Sequence, residues 1–281
     1  FELAIKLDSN NKMTKQNYGN SLFNSGEYER ALAILSTLND QESIARKLEC
    51  LYHLGKHNEF NENLEEIACH DKLNLRVAAI SAFSAQQFGR QDPYPFCTQA
   101  IEMIRYSHLN KHSQSPNLLI SELLEDAKSR ETHWEPIGKT TKYGFQTLEN
   151  LFQHCSESMK KLISIINREI ESYRKTFAEN RGGFIDNWPE MSELHAWFVT
   201  MKKNGYQESH IHREAWVSGV LYLETPQNYD GEAGAIEFSL HGYNYPISRD
   251  DFPRRTFKPM PGDLVLFPSS SPFFQFLTFL L

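Results

Sequence analysis

No CxxC pair, no run of basic residues and no apolar stretch of membrane-spanning length occurs in this sequence, and each absence removes a class of function. The four cysteines, Cys50, Cys69, Cys97 and Cys155, are widely separated, so neither a zinc knuckle nor a disulfide framework is expected and reduced thiols fit best. Lys plus Arg number 29 against 36 Asp plus Glu, a net charge of -7. That balance disfavours nucleic-acid binding through a general electrostatic footprint. The longest late apolar run, FFQFLTFLL (273–281), is too short to cross a bilayer, and no charged-then-apolar leader opens the chain. A soluble, cytoplasmic protein without membrane or nucleic-acid partners is the expectation. Phe1 is not an initiator methionine, so the sequence is expected to begin inside a longer reading frame or after processing.

What is present divides into two textures. From residue 16 to about 106, short apolar groups recur at three- and four-residue spacing, the period of amphipathic helices. The stretch GNSLFNSGEYERALAIL (19–35) is echoed by LECLYHLGKHNEFNENL (48–64) and more faintly by AISAFSAQQFGRQDPYPFCTQAI (79–101). Their glycines, Gly26, Gly55 and Gly89, stand 29 and 34 residues apart. A period near 34 with a small residue at the turn resembles the tetratricopeptide repeat. The resemblance implies stacked helix hairpins with a concave groove suited to a protein or peptide partner. Ordinary packing helices remain the competing reading. His53, His57 and His70, without an acidic partner at fixed spacing, read as surface or core histidines. A polar loop and one further helix fill 107–133, placing the expected boundary between a repeat domain, 1–130, and a second domain, 131–281.

Beyond Trp134 a long amphipathic helix is expected over 147–178, with Leu148, Leu151, Met159, Leu162 and Ile165 on its apolar stripe. Gly182-Gly183 and Trp188-Pro189 then break the chain. Strand-like segments follow: ELHAWFVTM, WVSGVLYLE, GAIEFSL, RRTFKP and GDLVLFPS, separated by turn formers such as TPQNYDGEAG. Many short strands at this spacing suggest a sandwich or jelly roll, so the fold class is α+β.

Within this half, ESHIHREAWVSGVLYLETP (208–226) sets His210, His212 and Glu214 at every second position, a spacing that puts all three on one face of a strand. Together with GAIEFSL and KPMPGDLVLFPSS, the stretch resembles a bacterial family of 2-oxoglutarate- and iron(II)-dependent oxygenases in which tetratricopeptide repeats often precede the catalytic jelly roll, a double-stranded β-helix. The resemblance covers roughly 134–270. It implies Fe(II) and 2-oxoglutarate as cofactors, oxidative decarboxylation of the oxoacid to succinate and carbon dioxide, and coupled hydroxylation of a C–H bond. Such enzymes hold iron with two histidines and usually one carboxylate. By this resemblance His212 and Glu214 are the first-choice ligands, with His210 the alternative histidine. Tyr222 is a candidate to hydrogen-bond the oxoacid, against a plain packing role. Trp216 and Phe238 read as core, Gly219 and Gly234 as close backbone approaches or bulges, and His195 as a structural histidine in an alternating strand. His241 reads as a loop residue outside the metal set.

One part of the family pattern is missing. A distal histidine and a basic residue that anchors the oxoacid would follow the FPSS segment, yet no His follows His241 and no Lys or Arg follows Lys258. The last segment is therefore expected to be truncated or out of frame relative to an active ancestor, leaving a sheet edge prone to aggregation. Two functions stay open: an oxygenase whose repeats receive a partner or substrate, and a non-catalytic repeat scaffold carrying an incomplete oxygenase fold. A cupin-type isomerase or dioxygenase without an oxoacid ranks last, for want of a third ligand.

Overall fold

The computed structural model describes residues 3, 8, 10–226 and 233–276, the last three by backbone alone. The chain separates into two compact units, residues 1–98 with 243–252, and 99–242 with 253–281. Residues 227–232 of the expected TPQNYDGEAG turn, and residues 277–281 of the apolar tail, lie outside the described residues.

The first unit is built on helices α1 (Lys12–Asn24), α2 (Tyr28–Leu35), α3 (Gln41–His53), α4 (His57–His70) and α5 (Leu75–Phe88). Three of them start at side-chain caps: Asn11, Asp40 and Asn74 each accept a backbone N–H from the first turn of α1, α3 and α5. Gly26 and Gly55, at φ 79° and 67°, reverse the chain between α1 and α2 and between α3 and α4 in the left-handed region that glycine enters without a Cβ penalty. Gly19 lets α1 approach α2, since a Cβ there would stand 2.6 Å from Leu35 Cδ2. The hairpin expected around Gly89 does not form. Gly89 ends α5, but residues 90–104 run in turns and bends, because Pro93 and Pro95 remove backbone donors that a second helix needs.

The second unit comprises β1 (Arg105–His108), α6 (Pro116–Lys128), β2 (His133–Trp134), β3 (Thr141–Gln146), α7 (Glu157–Thr176), α8 (Gly183–Asp186), β4 (Val199–His210), β5 (Val217–Leu221), β6 (Ile236–Ser239), β7 (Arg254–Phe257), β8 (Asp263–Pro268) and β9 (Phe273–Phe276). Among the described residues these form a three-stranded sheet, β1-β8-β5, and a six-stranded sheet, β2-β3-β4-β9-β6-β7. Every pairing is antiparallel. Val220, Val265 and Phe267 from the smaller sheet and Val199, Ile236 and Phe238 from the larger one share one apolar cluster, so the sheets pack face to face as a sandwich.

Three expectations are corrected. Residues 99–130, placed with the repeats from sequence, lie in the second unit, because β1 pairs with β8 and α6 packs on α7. The long helix is shorter than expected. Ser156 caps α7 by accepting from the Met159 amide, while upstream Thr147 and Leu151 donate to the Phe198 and Ala196 carbonyls, which keeps that stretch out of the helix in turns and bends. The strand expected at ELHAWFVTM begins only at Val199, and His195 stays exposed beside Glu193. No helix among the described residues is long and apolar enough to cross a membrane.

Candidate metal site at a pair of histidines

β4 carries His210 at its last position, where the register with β9 shifts and Phe273 lies opposite. Ile211 turns inward, 4% exposed, and the chain bends at Arg213-Glu214. His212 is therefore not the next same-face residue of a strand. Its amide donates to the Ser269 carbonyl just beyond β8, at 3.2 Å. The two imidazoles converge, with His210 Nε2 3.2 Å from His212 Nε2.

The far side of each ring is also engaged. His210 Nδ1 lies 2.7 Å from the Glu208 carbonyl oxygen. A carbonyl only accepts, so Nδ1 carries the proton and the neutral ring turns a lone pair on Nε2 toward its neighbour. His212 Nδ1 lies 2.7 Å from Ser218 Oγ on β5, and Ser218 Oγ lies 2.7 Å from Ser269 Oγ. Either tautomer of His212 is satisfied by this hydroxyl chain, because serine donates or accepts by rotating its O–H. Aromatic rings wall the pair in: Trp197 stands edge-on to His212 at 5.2 Å and Phe273 lies 4.4 Å from His210. Burial, with the Glu208 carbonyl acting against it, pushes His210 down to about 4. Burial, together with His210 and Lys139, pushes His212 down to about 3. Both rings are neutral near pH 7 and hold lone pairs ready.

The donor set fits two positions of one metal ion. Two imidazole nitrogens bound at ~2.1 Å to a first-row metal stand about 3.0–3.4 Å apart for angles between square and tetrahedral. The observed 3.2 Å falls within that span. The backing of each Nδ1 by a carbonyl or a hydroxyl is the outer support that orients metal-bound histidines. Glu214 does not join them. Its side chain is 88% exposed and faces Arg213 at 3.8 Å, because the chain turns before reaching it. Among the described residues, no three His, Cys, Asp or Glu side chains gather into a metal-holding group.

Tyr222 sits in the core between the sheets, fully buried, with burial raising its hydroxyl well above the usual value. Phe238 is core as expected, whereas Trp216 is half-buried, stacked on Phe184 and donating its indole N–H to the Phe184 carbonyl. Gly219 is a close approach, since a Cβ would stand 2.8 Å from Leu266 Cδ2. Gly234 adopts φ 80°. The His241 carbonyl accepts from Ser209 and Ser239. Four residues that bear on the pair carried no role from sequence: Ser218, Ser269, Trp197 and Phe273. The serines lie inside the recognisable WVSGVLY and FPSS segments, and their place behind His212 follows only from the strand pairing.

Two buried, neutral imidazoles converging at one edge of an antiparallel sandwich define a two-histidine metal-site candidate. Residues 195–273, which contain the pair, match the family described as "Putative 2OG-Fe(II) oxygenase". The chain thus carries a 2OG-Fe(II) oxygenase-like domain, and that family implies Fe(II) and 2-oxoglutarate. Among solved structures, a Pseudomonas putida prolyl-4-hydroxylase is similar at 16% identity, over 62% of this chain and 85% of its own, with a TM-score of 0.41. No curated protein sequence matches the chain.

Proposed function

We propose that this chain is a 2-oxoglutarate- and iron(II)-dependent dioxygenase whose metal is held by His210 and His212, in a double-stranded β-helix domain preceded by tetratricopeptide-like helices. The observation that carries the reading is the 3.2 Å approach of the two Nε2 atoms in a buried setting that keeps both neutral. Iron(II) bound there supplies the redox chemistry and the open positions that an oxoacid and oxygen need. The chain's own part is to orient His210 through Glu208 and His212 through Ser218, and to exclude water with Trp197 and Phe273. None of the four cysteines is in a disulfide, which suits a reducing cytoplasmic setting for ferrous iron.

A second reading is a non-catalytic protein with an incomplete site. The exposed Glu214 and the lack of a third gathered ligand among the described residues favour it. Anaerobic iron(II) titration of the full chain, with and without 2-oxoglutarate, separates the two. The dioxygenase reading expects saturable binding, a visible metal-to-oxoacid charge-transfer band, and loss of both in His210→Ala and in His212→Ala. Binding no tighter than in the double variant, with no band, overturns it and leaves the non-catalytic reading.

A further inference from the structure

We propose that the paired faces of α3 and α5 form a peptide-recognition surface for a segment that opens on a turn and carries tyrosines two residues apart, and that its resident occupant is this chain's own residues 243–252. The inference is independent of the metal reading. It rests on how the first unit is completed: residues 243–252, which connect β6 to β7 along the chain, belong to the helical unit.

The segment is held as a bound peptide is held, through its backbone as well as its side chains. Gln87 of α5 accepts from the Ser248 and Arg249 amides at 2.7 and 2.9 Å and donates its own amide to the Arg249 carbonyl at 2.7 Å. Tyr52 of α3 donates to the Pro246 carbonyl at 3.4 Å, and Gln86 to the Asp251 carbonyl at 3.4 Å. Backbone reading of this kind holds a chain in place whatever its side chains, and pockets for particular side chains supply the selectivity.

Those pockets are occupied by aromatic rings. Tyr245 is buried with its ring 5.4 Å from Phe83, and its hydroxyl donates to Glu49 at 3.0 Å. Phe252 packs edge-on against Phe83 at 5.7 Å. The Arg76 guanidinium lies 4.6 Å over the Tyr243 ring. Glu49 has no exposed surface and also accepts from Arg46 and Arg76, at 3.0 and 3.1 Å. Burial alone raises its pKa, yet Arg76, Arg46 and the Tyr245 hydroxyl hold it below the usual carboxylate range. The ion cluster thus presents an ionised acceptor to an incoming tyrosine. Tyr243 and Asn244 stand at φ 50° and 55°, a left-handed backbone that persists where the surroundings dictate it.

A tethered segment competes at an effective concentration in the millimolar range, so its own strap shields the surface from peptides in solution. The test uses the full chain and a fluorescent synthetic peptide of residues 242–253, read by anisotropy, with a scrambled peptide as control. The variant Tyr243→Ala/Tyr245→Ala weakens the strap and leaves the receptor residues intact. It is expected to bind the peptide at least ~10-fold more tightly than wild type, with that gain removed by adding Gln87→Ala. A strap variant with wild-type helix content that binds no better than wild type overturns the proposal. Hydrogen exchange on Gln87→Ala alone gives an answer even if the double variant does not fold. The Ser248 and Arg249 amides should exchange at least ~10-fold faster while α3 and α5 keep their protection. Unchanged exchange at both amides overturns the proposal as well.

Discussion

Replacing His210 by phenylalanine should flatten the acid side of the stability profile. His210 is 8% exposed, and burial pushes its imidazole from the usual 6.5 to about 4. As acid is added the unfolded chain takes up this proton before the folded one. The stability contributed by the neutral ring is therefore complete above the unfolded value, and is lost as the pH falls from 6.5 towards 4. At ~1.4 kcal/mol per pH unit for one proton, the loss between about pH 7.5 and about pH 5 comes to about 2 kcal/mol. His212 acts in the same direction but is present in both proteins, so the difference between their profiles reports His210. Urea denaturation followed by tryptophan fluorescence reads the right unit, because Trp134, Trp188, Trp197 and Trp216 all lie in the second one. Carboxylates titrate across part of this window, and subtracting the variant's profile from the wild-type profile removes their share. The difference in unfolding free energy should shrink by about 2 kcal/mol on going to about pH 5. Parallel profiles across the window would refute a buried, neutral His210.

Ser218→Ala removes the hydroxyl behind His212 Nδ1 and should weaken cobalt(II) binding about 10-fold by calorimetry while leaving the fold intact; unchanged affinity would mean that Ser218 does not orient the ring. Glu214→Gln should alter the same affinity less than about twofold, since its carboxylate is solvated beside Arg213, and a fall of more than about tenfold would bring Glu214 to the metal after all.

How much of this was legible depended on how local the deciding contacts are. GAIEFSL reads as a strand because its apolar residues alternate with polar ones and GDLVLFPS because its apolar residues are contiguous, with turn formers bracketing both, and β6 and β8 lie there. The glycine-marked turns at Gly26 and Gly55 were legible for the same reason, since a left-handed residue is a local requirement. β1 was not. RYSH is short and partly polar, and it is a strand only because β8, far along the chain, offers it a free edge. Residues 147–156 of the 147–178 stretch continue the helical stripe upstream, yet backbone pairing with the residues leading into β4 overrides propensity there. Residues 243–252 gave no local sign of belonging to the helical unit, because the side chains that hold them, such as Glu49 and Gln87, lie well over a hundred residues upstream. Sequence spacing identified His210 and His212 as neighbours on one face, but by the same rule it placed Glu214 with them, and the turn after His212 broke that rule.

The turn is also what makes the pair a site. In an unbroken strand, same-face neighbours stand roughly 6.5–7 Å apart, and their rings would extend side by side. Here β4 stops at His210, which stays fixed to the six-stranded sheet through its pairing with β9 and its bond to the Glu208 carbonyl. His212 is fixed instead to the three-stranded sheet, through the Ser269 carbonyl beyond β8 and Ser218 on β5. Each nitrogen is thus anchored to a different sheet, and their separation is set by how far the sheets stand apart at this edge. Phe273 occupies that gap, packed against both imidazoles and against Phe238 and Phe267 of the core. The spacing a metal ion needs is consequently a property of the apolar packing between the sheets as much as of the two histidines, and no inspection of the HxH stretch alone could have supplied it.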